Sequence, residues 1–119
     1  MNTQHDVFKK RAYQFALRII ELFRGLPKTE EAKIIGRQLL KAGTSVAANY
    51  RAAGRARSRA EFVSKMGLVV EEADESEFWL DLLVDAGIVS RDGLRGIDQE
   101  AIELLAVFAA SYHTAKRNR

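Results

Sequence analysis

The sequence predicts an all-α protein: a single domain, residues 1–119, folded as an antiparallel up-down-up-down four-helix bundle. Three observations predict it. Apolar residues recur three and four positions apart almost throughout. The single proline, Pro27, leaves helices uninterrupted over most of the chain. Turn signals fall in only a few places, and short connections force consecutive helices to run antiparallel. Apolar residues make up 47% of the 119, enough to fill a core. No strand-like alternation, internal repeat or low-complexity segment is present.

Each helix has its own signature. In the first, Phe8, Ala12, Phe15, Ile19, Phe23 and Leu26 form one stripe, ended by Gly25-Leu26-Pro27 because proline disfavours helical geometry in the residue before it. Thr29 is the expected N-cap of the second, with Glu30 and Glu31 at its positive pole. Its stripe is Ile35, Leu39, Ala42, Val46, Tyr50 and Ala53. Gly36 and Gly43 on this helix mark close helix contact, and Gly54 marks the approach to a turn. Ser58-Arg59-Ala60-Glu61 reads as a capping box opening the third helix. Phe62, Met66, Val69, Ala73 and Leu80 follow, up to Gly87 as the residue just past the end. Residues 88–98 hold at most a short helical turn. Asp98 is the expected N-cap of the fourth helix, with Ile102, Leu105, Ala109 and Tyr112 on its stripe. The middle helices are expected to run about 28 residues, about 40 Å at 1.5 Å per residue.

The absent cysteine excludes disulfides, thiolate metal sites and thiol catalysis. The first ten residues lack the apolar core of a signal peptide, and no apolar run approaches the roughly 18 residues of a membrane span. The expected location is the cytoplasm, with no membrane partner.

Some helices carry more apolar surface than one stripe requires. Tyr13, Leu17 and Ile20 form a second stripe on helix one, the segment around Trp79 is apolar nearly all round, and helix four adds Leu104 and Phe108. Either the core is broad or these faces join copies of the chain; large exposed apolar patches mark contact sites, so the expectation is a homo-oligomer.

Net charge is only +3, but its distribution is uneven. In an up-down bundle both termini and the turn between helices two and three share one end. That end gathers Lys9, Lys10, Arg11, Arg51, Arg55, Arg57, Arg59, Lys65, Lys116, Arg117 and Arg119, opposed only by Asp6 and Glu61. Arg51, Arg55 and Arg59 follow steps of four, so a helix persisting past Gly54 puts at least the first two on one face. Clustered guanidiniums suit phosphate because each offers a planar fork of donors. Three readings stand together: phosphate or nucleic-acid binding, pairing with acids of a neighbouring subunit, and plain solubility.

The acidic group Glu71, Glu72, Asp74, Glu75 and Glu77 falls opposite Arg37 and Lys41, which points to ion pairing between helices two and three, with Glu72 a candidate for partial burial. Di-iron bundles need Glu-x-x-His motifs on two helices. The only histidines, His5 and His113, complete none, so neither metal nor cofactor is expected. No glycine-rich phosphate loop and no base–nucleophile pair occurs, so no enzyme is expected. Asn49 is a candidate for a buried polar contact or a ligand contact.

With these residues in view, the chain resembles the four helix bundle proteins first noticed in open reading frames within intervening sequences of 23S ribosomal RNA. The resemblance spans about Phe8 to Lys116. It rests on Leu26-Pro27-x-x-Glu, on Q-L-L-K-A-G-T-S-V-A-A-N at 38–49, on S-R-A-E-F at 58–62, on Glu75 and on T-A-K-R-N at 114–118. Many members read N-I-A-E-G where this chain has N-Y-R-A-A at 49–53, and Gly-Ser where it has Glu71-Glu72, so any role of the missing glutamate does not carry over. The resemblance implies a four-helix fold and a ring-shaped homopentamer, in a family whose function is largely unassigned. The accessory protein of diversity-generating retroelements is similar in structure, and its basic pentameric surface binds nucleic acid and a reverse transcriptase.

The expectation is therefore a non-enzymatic oligomer that binds structured RNA or other nucleic acid, RNA or DNA, through its basic end. Arg51, Arg55, Arg57 and Arg59 would contact phosphates, assisted by Lys9, Lys10, Lys116 and Arg117. The alternative is a protein-interaction scaffold with the arginines in salt bridges between subunits.

Overall fold

Why four helices form, and where each stops, is visible at their ends. The computed structural model describes residues 3–118. Helix α1 spans Gln4–Arg24, α2 Glu30–Ala53, α3 Arg59–Asp85 and α4 Ile97–Arg117, with a short 3-10 turn at Asp92–Leu94 before α4. Thr3 opens α1 through a reciprocal pair of bonds with Asp6, and Thr29 caps α2 by accepting the Ala32 amide. Ser58 caps α3 by accepting the Glu61 amide at 3.1 Å. The return bond of the expected capping box is not made; the Glu61 carboxylate lies 3.9 Å from Arg57 instead. Gly87 ends α3 as expected. At φ +74 it is left-handed, its N–H bonds Val84 and the Ile88 N–H bonds Leu83, so two last-turn carbonyls are satisfied.

The core is one cluster fed by every helix. Ala12, Phe15 and Ile19 of α1 meet Leu39, Val46 and Tyr50 of α2, Met66, Val69 and Leu80 of α3, and Leu104 and Phe108 of α4. The stripes expected on α1, α2 and α3 are the buried ones. Ser76, wholly buried on the α3 stripe, satisfies its hydroxyl by donating to the Glu72 carbonyl at 2.8 Å. Gly43 lets α1 and α2 approach closely, since a Cβ there would stand 2.9 Å from Cγ1 of Ile19.

Helix α4 departs from the expected register. It opens at Gly96, left-handed at φ 84, and not at Asp98, which falls in the first turn. Its buried face is Ile97, Ala101, Leu104 and Phe108, whereas Ile102 is exposed and Leu105 and Tyr112 are partly buried. Two apolar stripes overlap on this helix, and burial of Ile97 at its start selects the face one residue back. Leu104 and Phe108 are thereby core residues. The extra stripe of α1 is not core: Tyr13 is 62% exposed and Leu17 44%. Beside Trp79, Phe78 is 56% exposed.

The expected ion pairing across α2 and α3 is not made. Among the described residues no carboxylate of 71–77 lies within ion-pair distance of Arg37 or Lys41. Helix α2 is shorter than expected, at 24 residues, because the turn begins at Gly54, whereas α3, at 27, has the expected length. Packing is extensive between α1 and α2, α2 and α3, and α3 and α4, and sparse between α1 and α4. Along that thin seam Phe8 meets Phe108, Arg11 meets Glu103 and Glu100, and Arg18 meets Arg95. Among the described residues no helix is long and apolar enough to cross a membrane.

Candidate nucleic-acid interface

The arginines are placed by the turn that joins α2 to α3. Helical hydrogen bonding continues briefly past the end of α2, with the Arg55 and Ala56 amides bonding Ala52 and Ala53. Arg51 and Arg55 therefore share a face, as their spacing predicts. Arg57, with a side chain 91% exposed, and Arg59, the first residue of α3, continue the series. Arg51, Arg55 and Arg57 surround a shallow groove with Lys65 and Glu61. Arg51 and Arg55 also flank a second groove, between α1 and α2, with Lys9, Lys10, Tyr13, Leu17 and Ile20. Five of the expected contacts, Arg51, Arg55, Arg57, Lys9 and Lys10, are thus brought round one corner of the bundle, with Arg59 beside them in sequence.

The other expected contacts lie apart from these grooves. Lys116 rests over the Tyr112 ring, its Nζ 5.5 Å from the centroid, and Arg117 closes α4. Arg11 does not contribute free charge. Its Nε and Nη2 bond both Glu100 carboxylate oxygens, at 3.1 and 2.5 Å, and Glu103 at 3.3 Å. This two-point grip holds the guanidinium proton more tightly than usual, first through the Glu100 bond. Arg119 lies outside the described residues.

Asn49 is spent locally, donating to the Ser45 carbonyl at 3.0 Å. Half-buried Glu72 keeps its proton more readily than an ordinary carboxyl, first through desolvation and then through Glu75, with Lys41 opposing. Glu75 accepts the Trp79 indole N–H at 3.1 Å. Among the described residues no three metal-ligating side chains come together.

The structure adds a feature that sequence reading missed. His5 stacks on Tyr50, ring centroids 4.5 Å apart, and Tyr50 packs on Phe108 at 4.6 Å. Burial holds the His5 imidazole below its usual range, and it raises the Tyr50 phenol. Gly54 makes the stack possible, because a Cβ there would collide with the His5 ring. Beside this ladder lies a cleft of about 840 Å³ between the start of α1, the α2–α3 turn and the end of α4. Tyr50 reads from sequence as a core residue and His5 only as a histidine that completes no metal motif; contact between helices is the part that no local pattern encodes. The alternation of small residues and arginines at 54–59 was the available clue.

Fold and site together define a helical bundle with a cationic corner and a neighbouring open cleft. The family model for the 23S rRNA-intervening sequence protein matches residues 4–110. The chain belongs to that family. A crystal structure of a protein of unknown function from the S23 ribosomal protein family of Bacteroides thetaiotaomicron is similar to it, with 32% identity and a TM-score of 0.81 over 87% of this chain and 96% of that one. No curated protein matches the chain.

Proposed function

We propose that this chain is a non-enzymatic, cytoplasmic homo-oligomer, with helices running up-down-up-down, that assembles as a ring and binds structured RNA or other nucleic acid through its arginine-bearing end. Contacts whose numbers fall along α4 as they rise along α1 support the antiparallel sense. One observation carries the functional reading. Arg51, Arg55, Arg57 and Arg59 stand exposed round one turn, and among the described residues the only carboxylate within ion-pair distance of any is Glu61, 3.9 Å from Arg57. Exposed guanidiniums keep their donors available for phosphate oxygens. Copies in a ring multiply weak contacts by avidity. Phosphate contacts position a nucleic acid without reading its sequence, so binding is weakly sequence-specific and strongly salt-dependent.

The test is fluorescence anisotropy with a structured RNA and a duplex DNA across a salt series. Each phosphate neutralised adds about −0.9 to the log–log slope on duplex DNA. Binding that steepens accordingly, and loses about 1.8 of slope in the Arg55→Ala/Arg57→Ala double variant, supports the reading; no binding at low salt sinks it.

A second reading, the interaction scaffold, has its own observation. Tyr13 and Leu17 are exposed beside Lys9, Lys10, Arg51 and Arg55. On α3, Glu71 and Asp74 are exposed in the same segment as Phe78, and no ion pair engages them among the described residues. In this reading the acids of one copy pair with the cations of the next. The same double variant then dissociates the oligomer in light scattering.

A further inference from the structure

The cleft beside His5 has no part in phosphate binding, yet it is built by the same turn. Gly54, Ala56 and Ser58 line it, while Arg55, Arg57 and Arg59, alternating with them, stand exposed. The end of α4 repeats the pattern: Thr114 and Ala115 line the cleft, and Lys116 and Arg117 follow as exposed cations. Small residues thus line the cavity, and the exposed cations that adjoin them in sequence are the candidates for a charged rim.

The inner walls are apolar and aromatic, with Phe8, Phe62 and Phe108 among them, and Ser111 and Thr114 add hydroxyls. A volume of about 840 Å³ is in the range of small-molecule pockets, which combine apolar walls with a few polar groups. The wall already receives one flat ring, since the His5 imidazole lies 25° from the Tyr50 plane.

We infer that the cleft takes one unpaired nucleobase, with the phosphates on either side of it held by the cationic rim. The inference rests on the nucleic-acid reading and names its ligand as an unstacked nucleotide from a loop or single-stranded end. A flat ring with hydrogen-bonding edges uses both the apolar walls and the hydroxyls, and a negative group next to it uses the rim. Free phosphate would leave the cleft empty, and a neutral apolar molecule would leave the rim unused. A base locked in a duplex cannot enter.

The experiment compares three RNAs by anisotropy at one salt concentration: a hairpin with 2-aminopurine in its loop, the same hairpin with an abasic loop, and a fully paired duplex of equal charge. The intact loop is expected to bind about tenfold tighter than the other two, the worth of one stacked base, with a change in 2-aminopurine fluorescence. Ser111→Phe, which fills the cleft, is expected to abolish that preference and leave duplex binding intact. Equal binding of all three RNAs overturns the inference alone and leaves phosphate binding standing. Absence of binding by all three at low salt overturns both. If Ser111→Phe fails to fold, the intact and abasic loops on the unaltered protein still decide the matter.

Discussion

The connection between α3 and α4 and the turn between α2 and α3 solve the same problem in opposite ways. The first is long and satisfies itself. Leu94 is fully buried beneath it, Arg91 spans Asp81 and Asp98 at 3.3 and 3.0 Å, and Arg18 reaches across to donate to the Arg95 carbonyl at 2.7 Å. The second is short, is fastened by the Ser58 cap and a few backbone bonds, and leaves its arginines facing water. A loop that needs only to close a bundle has reason to bury an anchor and pair its charges. A turn that leaves four like charges exposed in it and on the helix ends it joins pays in self-repulsion, which a polyanionic ligand would relieve.

Substitutions in the two regions are expected to separate stability from binding. Leu94→Ala should cost about 2–5 kcal/mol in urea unfolding, because it empties a buried site, and should leave nucleic-acid affinity per folded molecule unchanged. A loss under 1 kcal/mol would show that the connection does not depend on its anchor. Arg55→Ala/Arg57→Ala should move unfolding by only about 0.5 kcal/mol, while affinity at moderate salt falls by an order of magnitude or more. Equal losses in both measurements would erase the distinction between the regions.

Acid sharpens the comparison further. His5 has its pKa lowered from 6.5 by desolvation, Asp6 opposing and Lys9 assisting. The folded state therefore binds its proton less readily than the unfolded state. This contribution to stability is present in full above pH 6.5 and is lost as pH falls through the lowered value. Thermal melts of the wild type should show that loss, and His5→Phe, which keeps a ring over Gly54, should lack it. An identical acid response in both proteins would exclude His5 as its source. The smallest effect is expected from Arg91→Ala, since Arg91 and Asp81 are exposed and only Asp98 is partly buried: a slight drop in melting temperature that high salt removes. A drop that persists in salt would mean that Arg91 holds the connection by packing and not by charge.

Much of this architecture could be read in advance because it depends on neighbours in sequence. Thr29, Ser58 and Gly87 act on amides and carbonyls within a few residues, and the stripes of α1, α2 and α3 follow from 3.6-residue periodicity. Helix α4 was harder because Ala101-Leu104-Phe108 and Ile102-Leu105-Ala109 are equally periodic; only packing of Ile97 chooses between them. At the site, the position of the arginines was legible, but their surroundings were not. That Arg11 is neutralised by Glu100 depends on residues 89 positions apart. The stack of His5, Tyr50 and Phe108 draws on three helices. Lys41 and the α3 carboxylates show the reverse error, since facing positions on adjacent helices need not bring long side chains into contact.

The thin packing between α1 and α4 has a consequence for how the molecule can move. Three of the four helix pairs are firmly joined, so the bundle resembles a book whose spine lies on the far side and whose covers meet along one edge. The cleft opens at the top of that edge, bounded by Gln4 and His5 on one cover and by Ser111 and Thr114 on the other. Parting the covers there disturbs the Phe8–Phe108 contact but leaves the tight α1–α2 join at Gly43 and Ile19 intact. A guest could be admitted by a small swing of two helix ends, with the interior that specifies the fold left undisturbed.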